Sequence, residues 1–203
     1  MANFWAIHSV GSSLITYLRN TYPEPLRTDH PCDFRLISSG ELEESQDLGT
    51  SVTLYLYRLD IDKHTRNNPH PQHPKASPNP LSLCLYYLFI IWADSPLVEN
   101  TVAAWVMSQI HQHPILDQST LLSTGGWMPD DQVYIVPIEM TNEDLMRLWD
   151  AMAPTYRLSL PYLARVVRIG PDQVEEGRLV VATRYAYGEL LYENKKRSDQ
   201  GNS

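Results

Sequence analysis

The chain is poor in cysteine, with two, Cys32 and Cys84, in 203 residues. Far apart in sequence, they exclude a disulfide framework, and a chain of this length buries an adequate core without one. Both thiols read as small buried hydrophobes, and the simplest compartment at synthesis is a reducing cytoplasm. Positive charge is also short: 16 Lys and Arg stand against 24 Asp and Glu, a net charge of -8. That is the wrong sign for a protein whose main partner is a phosphate backbone, so nucleic acid is excluded as a partner. No apolar run is long enough to span a membrane. The longest, Leu81 to Ala93, has 13 residues where about 20 are needed. Met1 to Val10 has neither the basic start nor the apolar stretch of a signal peptide. Catalytic signatures are missing too. Gly125-Gly126 leads into Trp127-Met128 rather than a phosphate loop, no Gly-x-Ser-x-Gly elbow exists, and no zinc spacing is present.

What remains is an ordinary globular composition, 43% hydrophobic and 20% charged. The charge is unevenly placed. Residues 76–146 hold eight acidic side chains and no Lys or Arg, while residues 147–203 hold nine basic and seven acidic. An acidic middle and a mildly basic C-terminal part form a polarity suited to head-to-tail association.

Hydrophobic spacing places the elements. Phe4, His8, Gly11, Leu14, Ile15 and Leu18 predict an N-terminal helix that Tyr22-Pro23-Glu24-Pro25 stops. Phe34 to Ile37 predicts a short strand, followed by an acidic loop carrying Glu41, Glu43, Glu44 and Asp47. Val52 to Ile61 is apolar in both registers and predicts a strand covered on both faces. Leu81 to Ala93 fits either a central strand or a short buried helix. Ser95-Pro96 is an N-cap followed by a first-turn proline, and Val98, Val102, Trp105, Val106 and Ile110 form the stripe of a helix that His113-Pro114 ends. A strand is expected over Val133 to Ile138. Thr141 with Asp144 opens a short helix carrying Leu145, Leu148, Trp149 and Met152, which stops before Pro154. Tyr162 to Ile169 and Leu179 to Tyr187 read as two arms of an antiparallel pair around Gly170-Pro171-Asp172. The pattern implies an α/β (α+β) single domain, with a mixed or mainly antiparallel sheet and helices packed on it. The domain is expected over 1–187, with a polar tail at 188–203.

Residues 63–80, with five prolines and three histidines, have the composition of an exposed loop. His70 and His73 from this loop, with His111 and His113 at a helix end, are the one candidate set for a metal-dependent hydrolase. His111 and His113 are two apart, however, and diverge on a helix. Tyr55, Tyr57, Tyr86, Tyr87, Phe89 and Trp92 are accounted for chiefly by core packing. Near the C-terminus Arg184, Tyr185, Tyr187, Tyr192, Lys195, Lys196 and Arg197 combine aromatic and basic side chains, the composition of a docking segment for another protein.

Several blocks occur in an order that resembles a known family. They are Leu54-Tyr55-Leu56-Tyr57-Arg58, Arg66-Asn67-Asn68, Pro80-Leu81-Ser82-Leu83-Cys84-Leu85-Tyr86-Tyr87-Leu88, the Glu143 to Trp149 helix, Tyr156-Arg157-Leu158-Ser159-Leu160-Pro161-Tyr162 and Arg165-Val166-Val167. Together they are similar to the cap, or tail-terminator, proteins of contractile injection systems of the virulence-cassette and antifeeding-prophage type. Tyr86 departs from the His found there in many relatives. The resemblance implies a phage tail-terminator-like fold and a structural protein without catalysis or cofactor. It also implies a six-membered ring, with inner tube and sheath proteins as partners, in a particle assembled in the bacterial cytoplasm and then released or retained. A membrane-tethering adaptor of the same particle is the rival reading on that side, although nothing in the chain inserts into a membrane by itself.

Overall fold

A computed structural model describes residues 2–43, 48–62, 80–152 and 155–170. Helix α1, Ala6–Thr21, opens the chain and turns at Tyr22 into a short helix α2, Glu24–Asp29, followed by strand β1, Asp33–Ile37. A helical turn α3, Ser39–Glu43, precedes strand β2, Ser51–Ile61. Strand β3, Leu81–Trp92, leads to helix α4, Pro96–Gln112, and the two-residue strand β4, Ile115–Leu116. A 3-10 turn at Ser123–Gly125 precedes strand β5, Val133–Pro137, then helix α5, Asn142–Asp150, and strand β6, Ser159–Ile169.

The strands form one mixed sheet in the order β1-β2-β3-β6-β5-β4. β1 and β2 are parallel, and residues 38–50 between them give the dozen or so residues that such a crossover needs. The other neighbours are antiparallel. Leu81–Trp92 is thus the central strand of the two alternatives. The proline-rich segment joins antiparallel neighbours, and its residues 63–79 lie outside the described chain.

Strand alternation gives each face its own core. Leu83, Leu85, Tyr87, Phe89 and Ile91 of β3 pack with α1 and α4 in the larger cluster; Leu88 and Ile90 pack on the other face with Ile37, Leu42 and Trp149. Tyr22, Phe34 and Trp105 meet edge to face at centroid distances of 4.9–5.8 Å, which locks α1, β1 and α4 together. The Thr141 cap forms as its spacing predicts, with Thr141 Oγ1 accepting the Asp144 N–H at 3.1 Å.

Four details correct the sequence expectations. Phe4 and His8 are exposed, while Gly11, Leu14, Ile15 and Leu18 of the same stripe are buried, and the buried side of α1 also takes in Ser9 and Ser13. β2 is covered on both faces only in its first half, because Arg58, Leu59 and Ile61 run beyond the helices into solvent. Ser95 precedes α4 but makes no side-chain cap. The acidic loop begins as α3, because the Glu41 carboxylate accepts both the N–H and the hydroxyl of Ser38 at 2.8 Å. These bonds favour the ionised form and hold the Glu41 carboxyl below its ordinary range. The Leu179–Tyr187 arm lies outside the described residues, and β6 has β3 and β5 as its neighbours.

Candidate functional site

The surfaces with the clearest functional character lie on α1 and at the β5 edge. On α1 a polar seam runs through an apolar face. Ser9 Oγ donates to the Leu122 carbonyl at 2.9 Å and accepts the Trp127 indole N–H at 3.0 Å. One turn on, Ser13 Oγ donates to the Ser9 carbonyl at 2.6 Å and accepts the Leu122 N–H at 2.8 Å. Both serines are fully buried, so these bonds replace the water they have lost. They hold the loop after β4 against the helix. Gly125 fits there because a side chain would run into the Trp127 indole and the Ser9 hydroxyl. Beside this seam Phe4 and Trp5 are each 68% exposed, and Leu122 and Met128 are also exposed.

At the other surface, a groove of about 620 Å³ opens between the C-terminal half of α4 and β5. The stripe that buries Val102, Val106 and Ile110 leaves Met107 on its flank, 48% exposed. β4 pairs with β5 at Val133 and Tyr134 and the Pro114 carbonyl accepts the Ile135 N–H, so the end of β5 stays at the sheet's edge, with Tyr134 47% exposed and Val136 also exposed. Ile135 and Tyr162 close the floor. Sequence reasoning missed this groove. Its residues come from three separated segments, each of which reads as ordinary core in isolation.

A smaller hollow of about 310 Å³ near β1 is lined by Arg19, Arg27, Tyr22 and Cys32. Both guanidinium groups are engaged with main-chain carbonyls, Arg19 with Phe34 and Arg27 with Tyr22. Burial pushes the Tyr22 phenol and the Cys32 thiol up to about 12, so both are neutral and unreactive at physiological pH. Cys32 and Cys84 are free and half-buried.

The histidine set is not assembled among the described residues. His111 and His113 are exposed, and the His113 ring packs edge-on to Tyr17 at 5.8 Å. His70 and His73 lie outside the described chain. No group of three or more metal-ligating side chains gathers among the described residues. The docking candidates Arg184, Tyr185, Tyr187, Tyr192, Lys195, Lys196 and Arg197 are likewise outside it. No described helix is long and apolar enough to cross a membrane.

The fold has solved counterparts. It is similar to the sheath/tube terminator of PVC, an extracellular contractile injection system, in the extended state. That likeness has a TM-score of 0.58 at 19% identity, over 93% of this chain and 65% of the other. It is also similar to the tube-terminating cap of the anti-feeding prophage, with a TM-score of 0.52 at 19% identity over 83% of this chain and 60% of the other. This chain therefore spans less than two thirds of the length of either terminator. No curated protein matches the sequence. The Pvc16 N-terminal domain family matches residues 9–183, most of the length and every block on which the resemblance was drawn, and the chain belongs to that family.

Proposed function

We propose that this protein is the structural cap of a contractile injection system, a ring that ends the inner tube and anchors the last sheath ring. The observation that carries the reading is the family match across residues 9–183 on a fold shared with two solved tube terminators. A growing tube presents the same face after every layer. Growth stops when a subunit fits that face without regenerating it, and a protein doing this works through surfaces, not a catalytic centre. The exposed apolar groove and the exposed Phe4 and Trp5 suit such a role.

The copies form a closed ring by a heterologous contact. Six copies is the number that the family resemblance implies. The domain runs over residues 1–187, with 188–203 as a polar tail, and the aromatic and basic residues from Arg184 to Arg197 serve as a docking segment. Assembly takes place in the bacterial cytoplasm. Immunogold labelling of purified particles tests the placement: label is expected only at the end opposite the baseplate, and label along the sheath or at the baseplate overturns the reading.

A further inference from the structure

The described chain displays an apolar knob as well as the groove. The knob is the Phe4-Trp5 pair, each 68% exposed. Asn3 holds its backbone: the Asn3 N–H donates to the Gly125 carbonyl at 2.9 Å, and its side-chain amide donates to the Thr124 carbonyl at 3.2 Å. Asn3 Oδ1 accepts the Trp5 N–H at 2.8 Å, and its carbonyl accepts the Ala6 N–H at 3.1 Å. Bonds on every side of one residue fix the turn, so the aromatic pair is already ordered before it meets a partner. A tryptophan held exposed in this way suits the anchor of an interface.

The groove between α4 and β5 accepts a matching chemistry. Its lining holds no carboxylate, Lys or Arg. Met107, Ile110, Pro114 and Pro137 give it an apolar surface, and Ser108 and His111 offer acceptors for an indole N–H. A charged occupant would lose its water there without gaining a partner. Five large apolar side chains of the described chain are more than half exposed: Phe4, Trp5, Ile61, Leu97 and Met128. Ile61 follows Asp60, Leu97 lies two residues from Glu99, and Met128 lies two from Asp130. Phe4 and Trp5 alone stand clear of charge, because residues 1–18 contain no Asp, Glu, Lys or Arg.

We propose that the groove of one copy seats the Phe4-Trp5 pair of a second copy. The pair is out of reach of the groove on its own chain. Ala2 bridges to Ile169 at the far end of β6, whereas Tyr162 lines the groove, roughly 23 Å back along the strand at about 3.3 Å per residue. Knob and groove are different surfaces of one chain, so the contact is head-to-tail and repeats until the rotation closes a ring. At about 150–250 Å² for each aromatic side chain, the pair buries about 300–500 Å², against about 800 Å² per partner in a standard interface. Leu122 and Met128, exposed beside the pair, extend the patch. A single contact is therefore modest, and a closed ring gains because every copy makes it twice. The inference rests on the ring reading above and names its contact.

The test uses purified full-length protein with p-benzoyl-phenylalanine, a photoreactive analogue, in place of Phe4. Nitrogen-15-labelled and unlabelled copies are mixed, irradiated at submillimolar concentration and read by mass spectrometry. Cross-linked peptides that pair a labelled with an unlabelled chain are expected, joining position 4 to 107–114 or 134–137. Met107→Asp is expected to abolish them with circular dichroism melting unchanged, and His111→Glu takes its place if that variant does not fold. In sedimentation, Trp5→Ser and the groove variant are each expected to weaken self-association. Cross-links confined to one chain, cross-links to other surfaces, their absence, or their survival in the groove variant overturns the proposal. End-specific gold label without the cross-link refutes this contact alone. The cross-link without end label refutes the cap reading alone.

Discussion

On the α1 side of the sheet, the larger cluster fills the space between helices and strands, and Ser9 and Ser13 turn even its polar positions into cross-links to the loop after β4. At the β5 edge, side chains of the same kind stop at the surface: Met107, Tyr134 and Val136 are exposed beside a groove. The first region spends its apolar surface on folding. The second leaves it at the surface, because β4 is only two residues long and covers little of the edge.

If that contrast is right, equal truncations have unequal consequences. Phe89 is fully buried and packs edge-on to Tyr162 at 5.5 Å, so Phe89→Ala is expected to lower unfolding free energy by about 3–5 kcal/mol. Met107→Ser at the groove is expected to change it by no more than about 0.5 kcal/mol. Urea denaturation of both variants makes the comparison, and similar losses would collapse the distinction between core and docking surface.

The polar seam sharpens the contrast at an intermediate scale. Ser13→Ala leaves the part-buried Leu122 N–H without its acceptor, at an expected cost of about 1 kcal/mol. Amide exchange at Leu122 should accelerate in step. A variant as stable as wild type, with Leu122 exchange unchanged, would mean that the seam does not hold the loop.

The smallest effect near neutral pH concerns the hollow beside β1. Cys32 and Tyr22 have ordinary values of 9.0 and 10.0, and both are raised to about 12 in the folded chain by burial. Burial raises the buried Tyr87 phenol as well. Groups raised on folding hold their proton longer in the native state, so their contribution is complete below about pH 9 and is lost as pH climbs toward 12. Melting temperature should be insensitive to these groups from pH 7 to 9 and fall above it. A decline that begins near pH 7 would contradict these assignments.

How much of this was legible in sequence follows from the physics of each signal. Thr141 with Asp144, and the α4 stripe from Val102 to Ile110, are local patterns with helical spacing, and they form where expected. The parallel pairing of β1 with β2 was not legible, because a period of two does not say which strand lies alongside or in which direction. α2 carries Pro25 in its first turn and follows Pro23, so the same prolines that ended α1 concealed the start of the next helix. The roles of Ser9 and Ser13 leave no local signal, because their partners, Leu122 and Trp127, lie more than a hundred residues away. The groove escaped notice for the same reason, and the C-terminal docking candidates fall beyond the described residues.

The central claim is that this chain ends the tube. The most direct measurement is the length distribution of particles, by electron microscopy, in a strain lacking this gene alone, with complementation as control. The account predicts a broad distribution with over-long tubes and poorly retained sheaths, restored to a narrow one by the intact gene. Capped particles with the normal length distribution in the deletion strain would contradict it.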